Sequence, residues 1–221
     1  MSENGLLFVL AEPGRVGELE FHTWYDRSHA PARLTVPGIT AGWRYRAADA
    51  LTPTWLALYT VDLDALTTPQ YQQLRHRSAY ERDIVNRLAV LDRRVYRTVE
   101  GTPRMAGPGA PYLVTEAMDG PDPADVQAWC REEHIPLLRT VPGWLNTTCL
   151  LLADGDGPNL LAVHEIADPA VFDTPEYRYV TSTRRRAAVL RAVTSGQQRL
   201  FAFHNQVTNR RQQCPSHYTA R

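Results

Sequence analysis

The chain has 221 residues, of which 43% are hydrophobic, and its 24 basic and 24 acidic residues balance to a formal net charge of zero. This length and composition can bury a substantial core, as one large domain or two half-size ones. The balanced charge argues against a nucleic-acid partner and against attraction to an anionic membrane surface.

The content of particular residue types narrows the chemistry further. All 24 basic residues are arginine, so no lysine is present to form a Schiff base or to hold pyridoxal phosphate. No stretch approaches the roughly 18 apolar residues of a membrane span, and the N-terminus does not resemble a signal peptide, so we expect a cytoplasmic protein. Cys130, Cys149 and Cys214 are odd in number and irregular in spacing, which predicts reduced thiols.

Two stretches of the chain share one pattern, "HTWYDRSHAPARLTVPG" at 22–38 and "AWCREEHIPLLRTVPG" at 128–143. The matching landmarks lie 105 residues apart (134 − 29 = 105), and each stretch ends in Val-Pro-Gly. The landmark pairs are Trp24 and Trp129, His29 and His134, and Pro31 and Pro136. A spacing held over several landmarks predicts an internal duplication.

The elements predicted in chain order repeat as well. Apolar runs, aromatic and β-branched segments and helix-capping signals predict β-α-β-β-α-β in each half. The first half is predicted as strand 5–11, helix 16–34, strands 39–47 and 54–62, a helix from Pro69 to about residue 90 capped by Thr68, and strand 93–99. The second half is predicted as strand 112–118, helix 123–140 capped by Asp122, strands 144–152 and 160–167, helix 175–195 after Thr174, and strand 197–204.

This order of elements predicts an α+β fold. A β-α-β-β-α-β unit forms a four-stranded antiparallel sheet with both helices on one face, the ferredoxin-like arrangement. Large side chains on both sides of the predicted strands require the other face to be covered too, so we expect the two units to pack sheet to sheet as a pseudo-twofold barrel. The units are predicted at 1–100 and 112–204, joined by a Gly/Pro-rich linker at 101–111 and followed by a polar tail at 205–221.

The repeated histidine motif, together with "WRYRA", "WLALYTVD" and "TPQY", resembles the dimeric α/β-barrel superfamily, in particular its EthD-like members. The resemblance covers nearly the whole chain except the tail, as two fused units. It implies a cofactor-independent enzyme, since relatives include polyketide cyclases, decarboxylases, other lyases and cofactor-free monooxygenases. The family pattern W-Y-x-E-E-H-x-P is divided between the halves: the first lacks both acids, with Arg27 and Ser28 in their place, and the second has Cys130 for the tyrosine.

The first copy of the motif predicts a proton-transfer site. On a helix, Tyr25, Asp26, His29 and Arg33 share one stripe, and Pro31 is expected to end or kink the helix beside His29. Histidine titrates near neutrality, so His29 is the candidate acid or base, oriented by Asp26. Tyr25 and Arg33 would hold a developing oxyanion.

A second set of residues is expected to bind the substrate. Its members are aromatic or imidazole side chains on the predicted helices and strands: Trp24, Trp43, Tyr45, Tyr59, His134 and His164. Purely structural interpretations remain open, because a His-x-Pro segment can cap its own helix and Trp24 can be a core anchor. The charged stretches 75–83 and 183–191 are expected to be solvated helix faces.

We expect no bound cofactor and no metal. No glycine-rich phosphate loop is present, and haem is not expected because the extended segments of haem-binding members are missing. His22 and His29 share a helix face but have no third ligand at a suitable spacing.

Three functions fit these features. The first is an acid–base enzyme, such as a cyclase, decarboxylase or other lyase, acting on a small apolar carbonyl or phenolic metabolite. The second is a cofactor-free monooxygenase of aromatic compounds, and the third is a non-catalytic protein that binds a hydrophobic metabolite. The sequence leaves open whether two tandem chains pair as a homodimer.

Overall fold

The computed structural model describes residues 3–103 and 105–207. In the first half, strands and helices follow the predicted β-α-β-β-α-β order. They are β1 (Asn4–Glu12), α1 (Glu18–Trp24, a π-helical turn Tyr25–His29, and Ala30–Arg33), β2 (Ile39–Ala47), β3 (Trp55–Asp62), α2 (Pro69–Arg75), α3 (Ala79–Arg87) and β4 (Val90–Gly101).

The second half has the same order of elements. They are β5 (Tyr112–Asp119), α4 (Pro123–Trp129, a π-helical turn Cys130–His134, and Ile135–Leu138), β6 (Trp144–Asp154), β7 (Leu160–Ile166), α5 (Pro175–Thr181), α6 (Arg184–Arg191) and β8 (Ser195–Val207). Every predicted strand is present, and the boundaries differ from the predictions by three residues or fewer.

The eight strands form one closed antiparallel barrel in the order β1-β3-β2-β8-β5-β7-β6-β4. Each half contributes a ferredoxin-like sheet, and the barrel closes through the β2–β8 and β4–β6 pairs. Side chains alternate between faces, so each strand presents one row to the interior and one to the helices. The predicted α+β fold, two ferredoxin-like units joined as a pseudo-twofold barrel, is confirmed.

Apolar side chains fill both sides of the sheets. The barrel interior is packed by residues from both halves, including Phe8, Leu58, Leu113 and Phe201. A separate cluster lies between the first sheet and its helices, and two more lie between the second sheet and its helices. The site residues described below therefore lie in different layers.

The helix starts follow the predicted capping chemistry, whereas the helix interiors do not. Thr68 accepts from the Tyr71 amide at 3.3 Å, and Asp122 accepts from the Ala124 amide at 2.8 Å. The long helices predicted to about residue 90 and over 175–195 are each two short helices. Ser78 and Thr183 provide new N-caps at the breaks, so the second helix of each pair starts independently.

Pro31 does not end α1, contrary to expectation. The helix continues to Arg33, and the Ala30 amide donates to the Tyr25 carbonyl, five residues back. The same π-helical bond joins Ile135 to Cys130 before Pro136. His29 therefore lies inside a helix rather than beside free carbonyls at its end. π-Helical turns of this kind are rare and frequently occur at functional sites.

The predicted linker and tail are more structured than expected. β4 extends to Gly101, and Met105 in the linker is buried among the residues of the barrel interior. Gly107 has a φ of +60°, and a Cβ there would lie 3.1 Å from the Trp43 Nε1. β8 continues to Val207, so the predicted tail starts too early; its remainder, 208–221, lies outside the described residues.

The prediction of reduced thiols is wrong for two of the three cysteines. Cys130 on α4 and Cys149 on β6 form a disulfide with a Cα–Cα distance of 6.8 Å. The bond joins the π-helical turn of the second half to the sheet beneath it. Cys214 lies outside the described residues.

None of the helices within 3–103 and 105–207 combines the length and apolar character that a membrane crossing needs.

Candidate active site

His29 is held by a carboxylate. Its Nδ1 lies 2.8 Å from the Glu81 Oε1, and its side chain is 8% exposed. The ring packs against the Trp24 and Tyr25 rings, with centroids at 4.6 and 5.2 Å. Burial lowers the pKa of His29 to about 4, and the hydrogen bond to Glu81 opposes this only in part. At neutral pH the imidazole is uncharged, and with Nδ1–H donating to Glu81, Nε2 is free to accept a proton.

The carboxylate partner is not the one that the sequence predicted. Asp26 turns away from His29 and accepts a hydrogen bond from the Arg44 Nη1 at 2.6 Å. Glu81 comes from α3, within the stretch 75–83 that was expected to be a solvated face. The His29 hydrogen bond in turn lowers the pKa of Glu81. The orienting role expected of Asp26 therefore falls to Glu81.

Arg44 is the buried cation of this site. It lies on β2, is 1% exposed, and faces the layer between sheet and helices. Its guanidinium carbon lies 4.4 Å from the centroid of the Tyr25 ring and 4.9 Å from that of Trp55. Among the described residues its Nη2 has no hydrogen-bond partner. An unpaired guanidinium nitrogen in such surroundings is costly unless something accepts from it.

Two tyrosines complete the cluster. Tyr25 and Tyr59 are each 1% exposed, and neither hydroxyl finds a partner within the described part of the chain. Burial raises the pKa of both, and each influences the pKa of the other. The charges of Arg44 and Arg33 act in the opposite direction on both groups. Arg33 is half-buried and donates to the Leu74 carbonyl at 3.5 Å.

The predicted substrate-binding residues divide among three layers. Trp24 and Tyr59 lie with His29 between the first sheet and its helices. Trp43 and Tyr45 lie inside the barrel, where Trp43 lines a cavity of about 450 Å³ together with Thr60, Thr102 and other residues. We expected a hollow beside His29, but the cavities that we describe are lined by other residues.

His134 and His164 meet in the second half, with Glu116. Their ring centroids are 5.7 Å apart, and the His164 Nε2 lies 3.9 Å from the Glu116 Oε2. Donor atoms of the three side chains all lie within 4.8 Å of one another. Burial lowers the pKa of His134 to about 3, and its neighbours, His164 above all, lower the pKa of Glu116 to about 2. A cavity of about 20 Å³ borders Glu116 and His134.

Hydrogen bonds orient His164 from behind. The Thr147 Oγ1 lies 3.0 Å from the His164 Nδ1 and accepts from the Trp144 Nε1 at 2.9 Å. His134 is fixed differently, by stacking on Trp129 with ring centroids 4.1 Å apart. Neither ring nitrogen of His134 has a hydrogen-bond partner among residues 3–103 and 105–207.

A further group forms at the edge of the first half. His22 lies with Asp26 and His204, not with His29 as sequence spacing suggested. The Arg44 Nη1 donates to Asp26 and lies 3.2 Å from the His22 Nδ1. A fixed cation that already donates into the group opposes the binding of a metal ion there.

Sequence reasoning missed four functional candidates: Arg44, Glu81, Glu116 and Thr147. Strand alternation carries a signal for two of them, because Arg44 follows Trp43 and therefore faces the helices, and Glu116 shares a face with Val114. Glu81 is brought to His29 by a tertiary contact over 52 residues. No local pattern announces such a pairing.

No protein-family model and no curated protein sequence matches this chain. Solved structures do resemble it over nearly their whole length. An anthrone oxidase-like protein is similar with a TM-score of 0.60 and 10% identity, covering 95% of this chain and 94% of that one. A candidate monooxygenase from Fusobacterium nucleatum has a TM-score of 0.57, 6% identity and coverage of 94% and 95%. A candidate chlorite dismutase has a TM-score of 0.59, 14% identity and coverage of 91% and 94%. The chain thus has the ferredoxin-like dimeric α/β-barrel fold.

Because haem is bound by some larger proteins of this fold, we tested whether the histidines here fit it. His29 packs against two aromatic rings and Glu81, and the cavity beside His134 has a volume of about 20 Å³, far smaller than a porphyrin. The described residues therefore do not fit a haem.

Proposed function

We propose that the protein is a cofactor-free oxygenase of a small phenolic or anthrone-like compound, with its site at His29. The observation that carries the proposal is the convergence of unpaired polar groups on a neutral imidazole. The Arg44 Nη2 and the hydroxyls of Tyr25 and Tyr59 are buried without partners beside a histidine that Glu81 holds in place. Buried polar groups are normally satisfied, so such a cluster fits a site whose partner is a ligand.

The proposed reaction begins with proton abstraction. His29 takes a proton from the substrate at Nε2, and Glu81 stabilises the imidazolium that forms. The developing oxyanion is held by the Arg44 guanidinium and the tyrosine hydroxyls. Dioxygen then reacts with the electron-rich carbon. For a methylene group the balance is CH₂ + O₂ → C=O + H₂O, so no reductant is needed.

Substrate entry requires movement of side chains. His29 is 8% exposed, and Trp24 and Tyr25 lie against its ring. α1 and α3 form the cover of the site, so a ligand would have to part them. We infer that binding and ordering of the site are coupled.

The structural relatives favour this reaction over the lyase or cyclase that the sequence placed first. The anthrone oxidase-like protein and the Fusobacterium candidate monooxygenase share the fold along nearly the full length of this chain. We further propose that the chain arose by duplication of an EthD-like unit, because the motif, the π-helical turn and the order of elements occur once in each half.

Oxygen uptake tests the proposal. With anthrone as the probe, oxygen consumption should track substrate loss mole for mole, and His29→Ala should lower kcat by about 10²- to 10⁴-fold. A matched control is His76→Ala, which removes an imidazole from the segment between α2 and α3 and should leave kcat unchanged. Substrate loss without oxygen uptake would support a lyase. A loss below tenfold in His29→Ala would remove this residue from the chemistry.

A further inference from the structure

We infer that Glu116, His134 and His164 form a binding site for one divalent transition-metal ion of the zinc type. The site lies between the second sheet and its helices, in the other half from the proposed oxygenase site, and neither proposal depends on the other. It brings together one carboxylate and two imidazoles from β5, α4 and β7.

The chemistry of the donors favours such an ion. Two histidines and one carboxylate are a recurrent ligand set for zinc and for non-haem iron, and three protein ligands leave a position open for water or substrate. The donor atoms already lie within 4.8 Å of one another. Metal–ligand bonds of about 2.0–2.2 Å would draw them closer by a small movement of side chains.

The unpaired state of His134 points to a ligand independently of the spacing. Its side chain is 6% exposed, stacks on Trp129, and has no hydrogen-bond partner at either nitrogen within the described residues. It borders, with Glu116, a cavity of about 20 Å³. A volume of this size holds a single ion or one water molecule.

The surroundings of His164 resemble those of metal-binding histidines. Such residues usually donate their second ring N–H to a fixed acceptor, which sets the tautomer and the ring orientation. The Thr147 Oγ1 accepts from the Trp144 Nε1 and has another lone pair for a His164 Nδ1–H at 3.0 Å. This arrangement leaves Nε2 directed toward Glu116 and the cavity.

The first half lacks this set at the equivalent strand positions. Tyr59 pairs with Leu7 and Gly42, whereas His164 pairs with Val114 and Thr147. The imidazole and its threonine support have thus replaced a tyrosine and a glycine. Position by position, the metal donors belong to one half of the chain alone.

Metal binding to the full-length protein tests the inference directly. After removal of metals by a chelator and without reductant, Zn²⁺ measured by calorimetry and Co²⁺ measured by its d–d absorption should each bind at one equivalent per chain. Glu116→Gln and His164→Gln should weaken binding by at least about 100-fold, and Thr147→Val by about 10- to 100-fold. Zinc should raise the Tm of the parent protein and not that of Glu116→Gln.

Controls separate this site from other donors. His29→Gln alters the equivalent histidine of the first half, His204→Gln alters the other histidine–aspartate group, and C130A/C149A removes the paired cysteines. All three should keep one equivalent of bound metal with affinity within threefold of the parent.

The inference is overturned if the metal-free parent protein binds neither ion. It also fails if Glu116→Gln, shown to be folded by circular dichroism, binds as the parent does, or if His204→Gln abolishes binding. Should Glu116→Gln and His164→Gln both fail to fold, unchanged affinity in Thr147→Val would count against the site.

Discussion

A buried histidine gains its chemical use from the group opposite it, and the two motif histidines have different partners. His29 donates to Glu81 from α3. At the equivalent position of the second half, three residues after the N-cap of α6, stands Arg186. Its charge opposes protonation of His134, whose nearby carboxylate is Glu116 on a strand. One motif thus serves two electrostatic settings.

Removing the negative charge of Glu81 should separate orientation from acidity. In Glu81→Gln we expect kcat for anthrone oxidation to fall by about 10- to 100-fold, because the ring loses the group that stabilises the imidazolium. Glu81 raises the pKa of His29, so without its charge that pKa falls below about 4 and the acidic limb of kcat/KM moves to lower pH. The pH dependence of oxygen uptake measures both effects.

Asp83→Asn is the control for that variant. Asp83 lies on the same helix and pairs with Arg87 at the surface, so its loss should change neither kcat nor the pH profile. An acidic limb that stayed in place in Glu81→Gln would show that Glu81 does not act through the pKa of His29.

The buried His29 should also make folding stability depend on pH. Its pKa is about 4 in the folded chain against a model value of 6.5, so below pH 6.5 the unfolded chain binds the extra proton. Stability from this group is complete above pH 6.5 and falls by about 3 kcal/mol on acidification to pH 4. His29→Gln can still donate to Glu81 but does not titrate. Denaturant unfolding from pH 7 to 4 should show a flatter curve for the variant, and parallel curves would contradict the burial argument.

At the scale of elements, periodicity and capping predicted most of the fold. β2 was predicted with its observed ends, and Thr68, Asp122 and Thr174 cap the helices that they were expected to start. The breaks within the later helices were missed because Ser78 and Thr183 read as ordinary helix residues until tertiary packing selects them as caps. The π-helical turns have no sequence signal beyond the proline that follows them.

The candidate site was predictable only where it is local. His29, Tyr25 and Trp24 come together because the motif places them on one turn of helix. The pairing of Glu81 with His29 and the burial of Arg44 beneath Tyr25 depend on how α1 and α3 dock on the sheet. A sequence pattern does not contain that docking geometry.

The disulfide predicts a stability difference between redox states. Cys130 and Cys149 are separated by 19 residues and join α4 to β6, at the positions that Tyr25 and Arg44 occupy in the first half. In a C214A background, reduction should lower the free energy of unfolding by about 3 kcal/mol, because the unfolded chain regains the entropy of an open loop. Denaturant titrations with and without reductant measure the change.

Thiol counting provides the opposing outcome. In the same background, denatured and unreduced protein should show no thiol reactive with an alkylating agent, and two after reduction. Two reactive thiols before reduction would restore the sequence-based expectation of reduced cysteines.

At the scale of the whole molecule, the closed barrel ties the halves into one cooperative unit. Its interior mixes side chains from both sheets, and β2–β8 and β4–β6 hydrogen bonds cross between the halves. Neither sheet could leave its inner face to water without exposing a large apolar surface. The sequence repeat predicts two units, and the physics of burial makes them interdependent.

This interdependence makes a cavity in one half destabilise both. Leu58 is fully buried in the barrel interior, so Leu58→Ala should lower the free energy of unfolding by about 2–5 kcal/mol. Leu19→Ala, at a site 82% exposed, should change it by less than about 0.5 kcal/mol. Fluorescence of a variant that keeps only Trp129 and Trp144 follows the second half, and it should report the same lowered midpoint as circular dichroism of the whole chain. A second-half midpoint that stayed at the parent value in Leu58→Ala would mean that the two sheets unfold separately, because the loss of a first-half side chain would then not be transmitted across the barrel.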